Sequence, residues 1–139
     1  VTGVQTCALP ISAAAVAEAR RRLEAVVYFD YDKDDVRADQ QATLDAKVPV
    51  LNANPDVKIR IAGHTDDRGS DEYNLALGQR RAASVRRYLV ARGVAEGRFE
   101  VTSFGEQRPA AQGDGEDAWS KNRRAEFEIT AGAASIKAP

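Results

Sequence analysis

The sequence predicts an α+β domain, a two-layer sandwich of order β-α-β-α-β-β with helices on one face of a mixed four-stranded sheet. Three observations carry that expectation. Val57–Ala62 sets Val57, Ile59 and Ile61 against Lys58 and Arg60, and Ala125–Thr130 points Phe127 and Ile129 one way; both have the period of a half-buried strand. Tyr73–Arg92 keeps an apolar arc at helical period over the longest uninterrupted stretch of the chain. Turn-forming residues separate the remaining runs into the alternating order.

Taken from the start, VTGVQTCALPI shares nothing with the rest of the chain, and its back-translation resembles one frame of a short-read sequencing adapter. Residues 1–11 are therefore expected to be an assembly artefact, with the native export signal missing. Cys7 is not expected to be lipidated, because Gln5 and Thr6 precede it where a small residue is needed and no basic start lies upstream. Residues 12–25 are alanine-rich and end in a charged run, which predicts a loosely docked helical leader. The domain proper is expected over 26–131, followed by a flexible tail at 132–139.

Within the domain, Val26–Phe29 is a β-branched and aromatic run, a candidate buried strand. Ala38–Asn54 reads as a helix with Leu44, Val48 and Leu51 on one face, kinked by Pro49 and closed by Pro55. Val57–Ala62 forms the next strand, His64–Glu72 a polar loop turning at Gly69, and Tyr73–Arg92 the long helix stopped at Gly93. Phe99–Phe104 is a strand, Gly105–Lys121 a long polar loop, and Ala125–Thr130 the last strand.

Composition limits the function. The 139 residues suit one domain, and 20 basic residues against 21 acidic ones give a net charge of −1, no footprint for nucleic acid. No apolar run approaches the roughly 18 residues of a membrane span. A single cysteine excludes a disulfide framework within the chain. No Ser/His/Asp or Cys/His set is present, so no catalytic residue is assigned. Neither a cofactor nor a metal is expected: one histidine, in His64-Thr65-Asp66-Asp67, lacks a second ligand cluster. The acidic run Asp30-Tyr31-Asp32-Lys33-Asp34 imitates a calcium loop, but Asp35 and Gln41 stand where glycine and glutamate are required. Those acids are read as shaping a turn. Trp119 is expected to pack under the long loop, and Asn122-Arg123-Arg124 to anchor a strand entry.

One residue breaks the pattern. With Leu77 at zero on the helical wheel, Arg81 falls at about 40° and Val85 at about 80°. Arg81 thus sits inside the apolar stripe, where a guanidinium needs an anionic partner. Two readings stay open: an internal salt bridge, or a cleft that binds an anionic ligand through the planar fork. Asp66, in the loop between the preceding strand and this helix, supplies a carboxylate facing the same region. An acid and an arginine together can hold a zwitterion.

The segments VYFDYDKDDV, GHTDDRGSDEYNLALGQRRAASVRRYL, SFGEQRPAA and WSKNRRAEFEI resemble, in order, the successive signatures of the OmpA-like domain family. Their wording is similar to the branch of peptidoglycan-associated lipoproteins, and the resemblance covers about Val26–Thr130. It implies non-covalent binding of the peptidoglycan stem peptide through meso-diaminopimelate, with no catalysis. The family's binding aspartate falls on Asp66 and its binding arginine on Arg81; backbone contacts fall near Asp32, Thr65 and Leu77. Asn74 and Arg123 match positions of structural support. It further implies tethering of the outer membrane to the wall from the periplasmic side, through a lipid anchor missing from this chain, with TolB and other Tol-system proteins as partners. The alternatives are a wall anchor of a flagellar stator or porin-type protein, and a hydrolase using Asp66 and His64.

Overall fold

In the computed structural model, which describes residues 12–139, the alternating runs form the centre of the sheet. The readings made for residues 1–11, Cys7 among them, lie outside the described residues. Strand β2 (Lys58–His64) pairs parallel with β3 (Phe99–Gly105) and antiparallel with β4 (Arg124–Ala131). Strand β4 also pairs antiparallel with β1 (Val27–Tyr28), so the sheet order is β1-β4-β2-β3. Ile59 lies opposite Ile129 and Ile61 opposite Phe127, which sets the register. A slip of one residue would drive Arg60 and Glu128 into the core. On the opposite face Arg60 instead bridges Glu100 and Glu128, at 2.9 Å to each.

The mixed sheet and its helical layer match the expected fold. Four details differ from the sequence reading. The expected helix over Ala38–Asn54 is a 3-10 turn (Ala38–Gln40) followed by α2 (Gln41–Asp45) and α3 (Lys47–Ala53). Pro49 has no amide to bond the carbonyl four residues back, and the break at Ala46 places it in the first turn of α3, where none is needed. The long loop contains a short helix, α5 (Glu116–Asn122), too brief to leave a periodic signal.

The third difference concerns the leader. Helix α1 (Ala13–Glu24), capped at Ser12, buries Ala19 and Leu23 in the core and is firmly docked. Its small alanines permit close approach. Lys47, wholly buried, reaches up to its C-terminus and donates to the carbonyls of Arg22, Leu23 and Ala25 at 2.8, 3.1 and 2.7 Å. Burial pushes the Lys47 pKa down to about 7. The fourth difference is the tail: past Gly132 (φ +80) a 3-10 turn at Ala133–Ser135 delivers Ile136 into the core. There the Asn54 amide donates to the Lys137 carbonyl at 2.8 Å and accepts from its N–H at 2.7 Å. Neither segment is loose, because each buries aliphatic side chain and satisfies its backbone against the domain.

Helix α4 (Asp71–Ala91) positions the site. Ser70 caps it by accepting from the Tyr73 N–H at 3.1 Å, and Asp71 and Glu72 face the positive end of its dipole. Its buried stripe runs through Asn74, Leu77, Gly78, Arg81, Ala82, Val85 and Leu89, while Tyr73 is 45% exposed and lies off it. Gly78 rests directly on Gly63 of β2. A Cβ at Gly63 would fall 1.7 Å from the Gly78 carbonyl oxygen, and one at Gly78 would fall 2.2 Å from Ser103 Oγ. Backbone therefore packs on backbone at this crossing.

Candidate functional site

Above that crossing lies a cleft of about 230 Å³. Its walls are the segment after β1 (Tyr31, Asp32), the β2–α4 loop (Thr65, Asp66, Arg68, Gly69) and one face of α4 (Tyr73, Asn74, Leu77, Arg81). All five residues assigned to ligand contact from the sequence line it.

Arg81 is 1% exposed, as its wheel position required, but its partners were not foreseen. Nε donates to the Lys33 carbonyl at 2.7 Å, Nη1 to that of His64 at 2.9 Å and Nη2 to that of Asp30 at 3.0 Å. Three backbone carbonyls, rather than a carboxylate in direct contact, hold the group in place. This corrects the demand for an anionic partner in direct contact: carbonyl acceptors satisfy the group, and the Asp66 carboxylate favours its charge only from a distance. The Phe29 ring lies 5.2 Å from the guanidinium. Burial pushes the Arg81 pKa down to about 10, with Asp66 raising it and Arg123 lowering it, so the group stays charged at neutral pH. Of five N–H donors, the three bonds leave two for a ligand.

Asp66 is 4% exposed. Its Oδ1 accepts from the Arg68 N–H at 3.1 Å and its Oδ2 from Arg68 Nη2 at 2.8 Å, with Arg123 Nη1 at 3.9 Å. The loop beneath is braced by the Thr65 hydroxyl, which donates to the Asp66 carbonyl at 2.9 Å, and by Asn74 Nδ2 at 3.4 Å from that same oxygen. Asn74 also donates to Glu106 at 2.8 Å, tying the loop to the end of β3. Arg123 donates to the Phe29 carbonyl at 2.8 Å and pairs with Glu116 at 2.9 Å, joining β1 to α5. Asp32 holds left-handed backbone (φ +56) and accepts from the Tyr73 hydroxyl, a bond that raises the tyrosine pKa. Leu77 forms an apolar side of the cleft.

Sequence reasoning missed Arg68. Its guanidinium lies between two rings, 3.8 Å from the Tyr31 centroid and 3.9 Å from that of Trp119. The hydrogen bond to Asp66 raises its pKa. No periodicity marks a loop arginine two positions from its partner, and the rings that hold it come from segments far away in the chain. Trp119 is accordingly a partly buried stacking partner whose Nε1 donates to Asp67 at 2.9 Å, not a residue packed beneath the loop. The run Asn122-Arg123-Arg124 does open β4, with Asn122 Oδ1 accepting from the Ala110 and Ala111 amides at 2.7 and 2.9 Å.

His64 turns its ring away from the cleft; only its carbonyl faces Arg81. The ring is buried beside Phe104, with Nε2 3.4 Å from Glu126 and no hydrogen bond to either nitrogen. Burial first, then Arg124, push its pKa down to about 4. The pair required for the hydrolase alternative, Asp66 with His64, is not assembled.

Comparison with known proteins identifies the family. A profile described as the OmpA family matches residues 28–123. The peptidoglycan-associated lipoprotein of Haemophilus influenzae is 47% identical over 110 residues, covering 79% of this chain and 71% of that protein. That of Pasteurella multocida is 50% identical over 99 residues, covering 71% of this chain and 66% of its own length. The crystal structure of the Burkholderia pseudomallei peptidoglycan-associated lipoprotein superposes with a TM-score of 0.73 at 44% identity, covering 76% of this chain and 89% of that one.

Proposed function

The chain belongs to the OmpA family, and from that membership we propose that it binds the peptidoglycan stem peptide non-covalently through meso-diaminopimelate. The observation that carries this reading is the presence of Asp66 and Arg81, both buried, in the wall of one cleft. The free end of a diaminopimelate side chain bears an ammonium and a carboxylate on one carbon. Asp66 takes the ammonium and the two unused donors of Arg81 take the carboxylate. Because three carbonyls already fix Arg81, little side-chain freedom is lost when the ligand arrives. Asp32 and Thr65 contribute backbone groups, Leu77 packs on the methylenes, and Asn74 and Arg123 brace the loops.

Such binding tethers the outer membrane to the wall. The finer reading places the domain on the periplasmic face of that membrane, held by a lipid anchor, with TolB and other Tol-system proteins as partners. It is supported by relatives named peptidoglycan-associated lipoprotein at 47% and 50% identity. Those names likewise make a stator or porin-type anchor the less favoured reading. We read the domain as a binding module without turnover, which incubation with purified muropeptides would test through the absence of cleavage products.

The direct test is co-sedimentation with sacculi. Arg81→Ala and Asp66→Asn are each expected to weaken binding by roughly 1.5–3 kcal/mol, the worth of a hydrogen bond to a charged group. Arg87→Ala, on the exposed side of α4, is expected to bind as wild type. Equal losses at Arg81 and Arg87 would mean non-specific charge attraction and would end the clamp reading.

A further inference from the structure

A carboxylate that receives an incoming ammonium should stand open, yet Asp66 is almost wholly covered and both its oxygens are engaged by Arg68. Resting on the cleft's assignment as the diaminopimelate site, we propose that Arg68 is a resident cation which the ligand's ammonium displaces from Asp66. The exchange makes the cleft selective for ligands that carry a carboxylate beside the ammonium. Two independent features support it. The guanidinium is held in a defined resting place, sandwiched between Tyr31 and Trp119 within 4 Å of each ring, so its withdrawal has a cost. Its Nε is buried without a hydrogen-bond partner, so the resting place is incompletely satisfied and can be vacated.

The exchange involves one oxygen. The Arg68 backbone N–H stays on Oδ1 while the side chain leaves Oδ2, so the loop keeps its form. An ammonium arriving alone trades one charge-assisted bond for another and disturbs two ring contacts, and gains almost nothing. A ligand that brings a carboxylate as well engages the unused donors of Arg81, and the released guanidinium faces that same carboxylate. Arg68 thus turns a site that would accept any primary ammonium into one that requires both groups. It is a specificity-determining residue.

The test is calorimetric titration of wild type, Arg68→Gln and Arg68→Lys with two soluble stem tripeptides, identical except for meso-diaminopimelate or lysine at the third position. Arg68→Gln is expected to bind the lysine peptide about tenfold more tightly than wild type does, while the diaminopimelate peptide gains less, so discrimination narrows. Arg68→Lys, which still places a cation on Asp66, is expected to keep most of the discrimination. In wild type, diaminopimelate peptide should also change the emission of Trp119, the one tryptophan, as its stacked cation leaves. Weaker binding of both peptides by Arg68→Gln would make Arg68 an ordinary ligand contact and overturn the proposal. An unchanged affinity ratio would overturn it too. If wild type binds neither peptide, the cleft's assignment fails first and the proposal falls with it.

Discussion

Replacing Lys47 with methionine keeps most of the buried volume and removes only the ammonium, which makes it a clean test of how α1 is held. Three carbonyls at the end of α1 lose their donor: that of Leu23 in a buried setting, those of Arg22 and Ala25 in partly buried ones. A buried acceptor left bare costs about 1–3 kcal/mol, and the part-buried pair recover most of their loss from water. The ring of Phe127, 3.9 Å from the ammonium, is retained as a thioether contact, so packing loss is small. Relief from burying a charge acts the other way and offsets part of that cost. The expected net loss is at most about 1–3 kcal/mol, concentrated on the docking of α1. Urea unfolding gives the total, and amide hydrogen exchange over Ala13–Glu24 locates it. The sign of the pH dependence is a second check. A lysine whose folded pKa is lowered, from 10.5 to about 7, carries its full burial cost below pH 7 and sheds it as pH rises toward 10.5. Wild-type stability should therefore rise over that window, by less than the ~5 kcal/mol of the full shift, because the carbonyls favour the ammonium. Lys47→Met should lack the rise. Unchanged stability together with unchanged exchange over α1 would refute the capping argument.

Two further outcomes are expected. His64 has a folded pKa lowered to about 4 against 6.5, so its neutral burial contributes stability that is fully present above pH 6.5 and lost as pH falls through 4, about 3 kcal/mol in all; thermal melts from pH 7 to pH 4 should show a steeper decline in wild type than in His64→Gln, and parallel profiles would contradict this. Gly78→Ala should cost about 1–3 kcal/mol or more through its clash with Ser103 and also weaken sacculus binding, whereas Gly97→Ala, with nothing within 4 Å, should leave both close to wild type.

The sequence made some of this legible for identifiable reasons. Ile59, Ile61, Phe127 and Ile129 repeat at two residues, so the central strands and their inward face could be read directly. Arg81 was visible because a charge inside an apolar stripe violates a local rule. Its solution was not visible: carbonyls at residues 30, 33 and 64 carry no side-chain signature. Lys47 looked like an ordinary helix residue, since its acceptors lie more than 20 positions earlier in the chain. Ile136 looked like part of a flexible tail because one aliphatic residue has no period. Arg68 was hidden in a loop, where only the fold brings Tyr31 and Trp119 to it.

The contact of Gly63 with Gly78 bears on how such a domain can diverge. Asp66 lies three residues beyond the first glycine and Arg81 three beyond the second, so the crossing is the nearest fixed point to both charges. Where two elements meet through side chains, each exchange of one aliphatic residue for another shifts them by a few tenths of an ångström, and such drift accumulates. Two bare backbones already in contact have nothing to exchange and no room to move closer. Substitutions among Leu44, Val85, Leu89 and the rest of the core can thus repack the far end of α4 while the span between carboxylate and guanidinium stays put. The core is free to age; the gauge of the clamp is not.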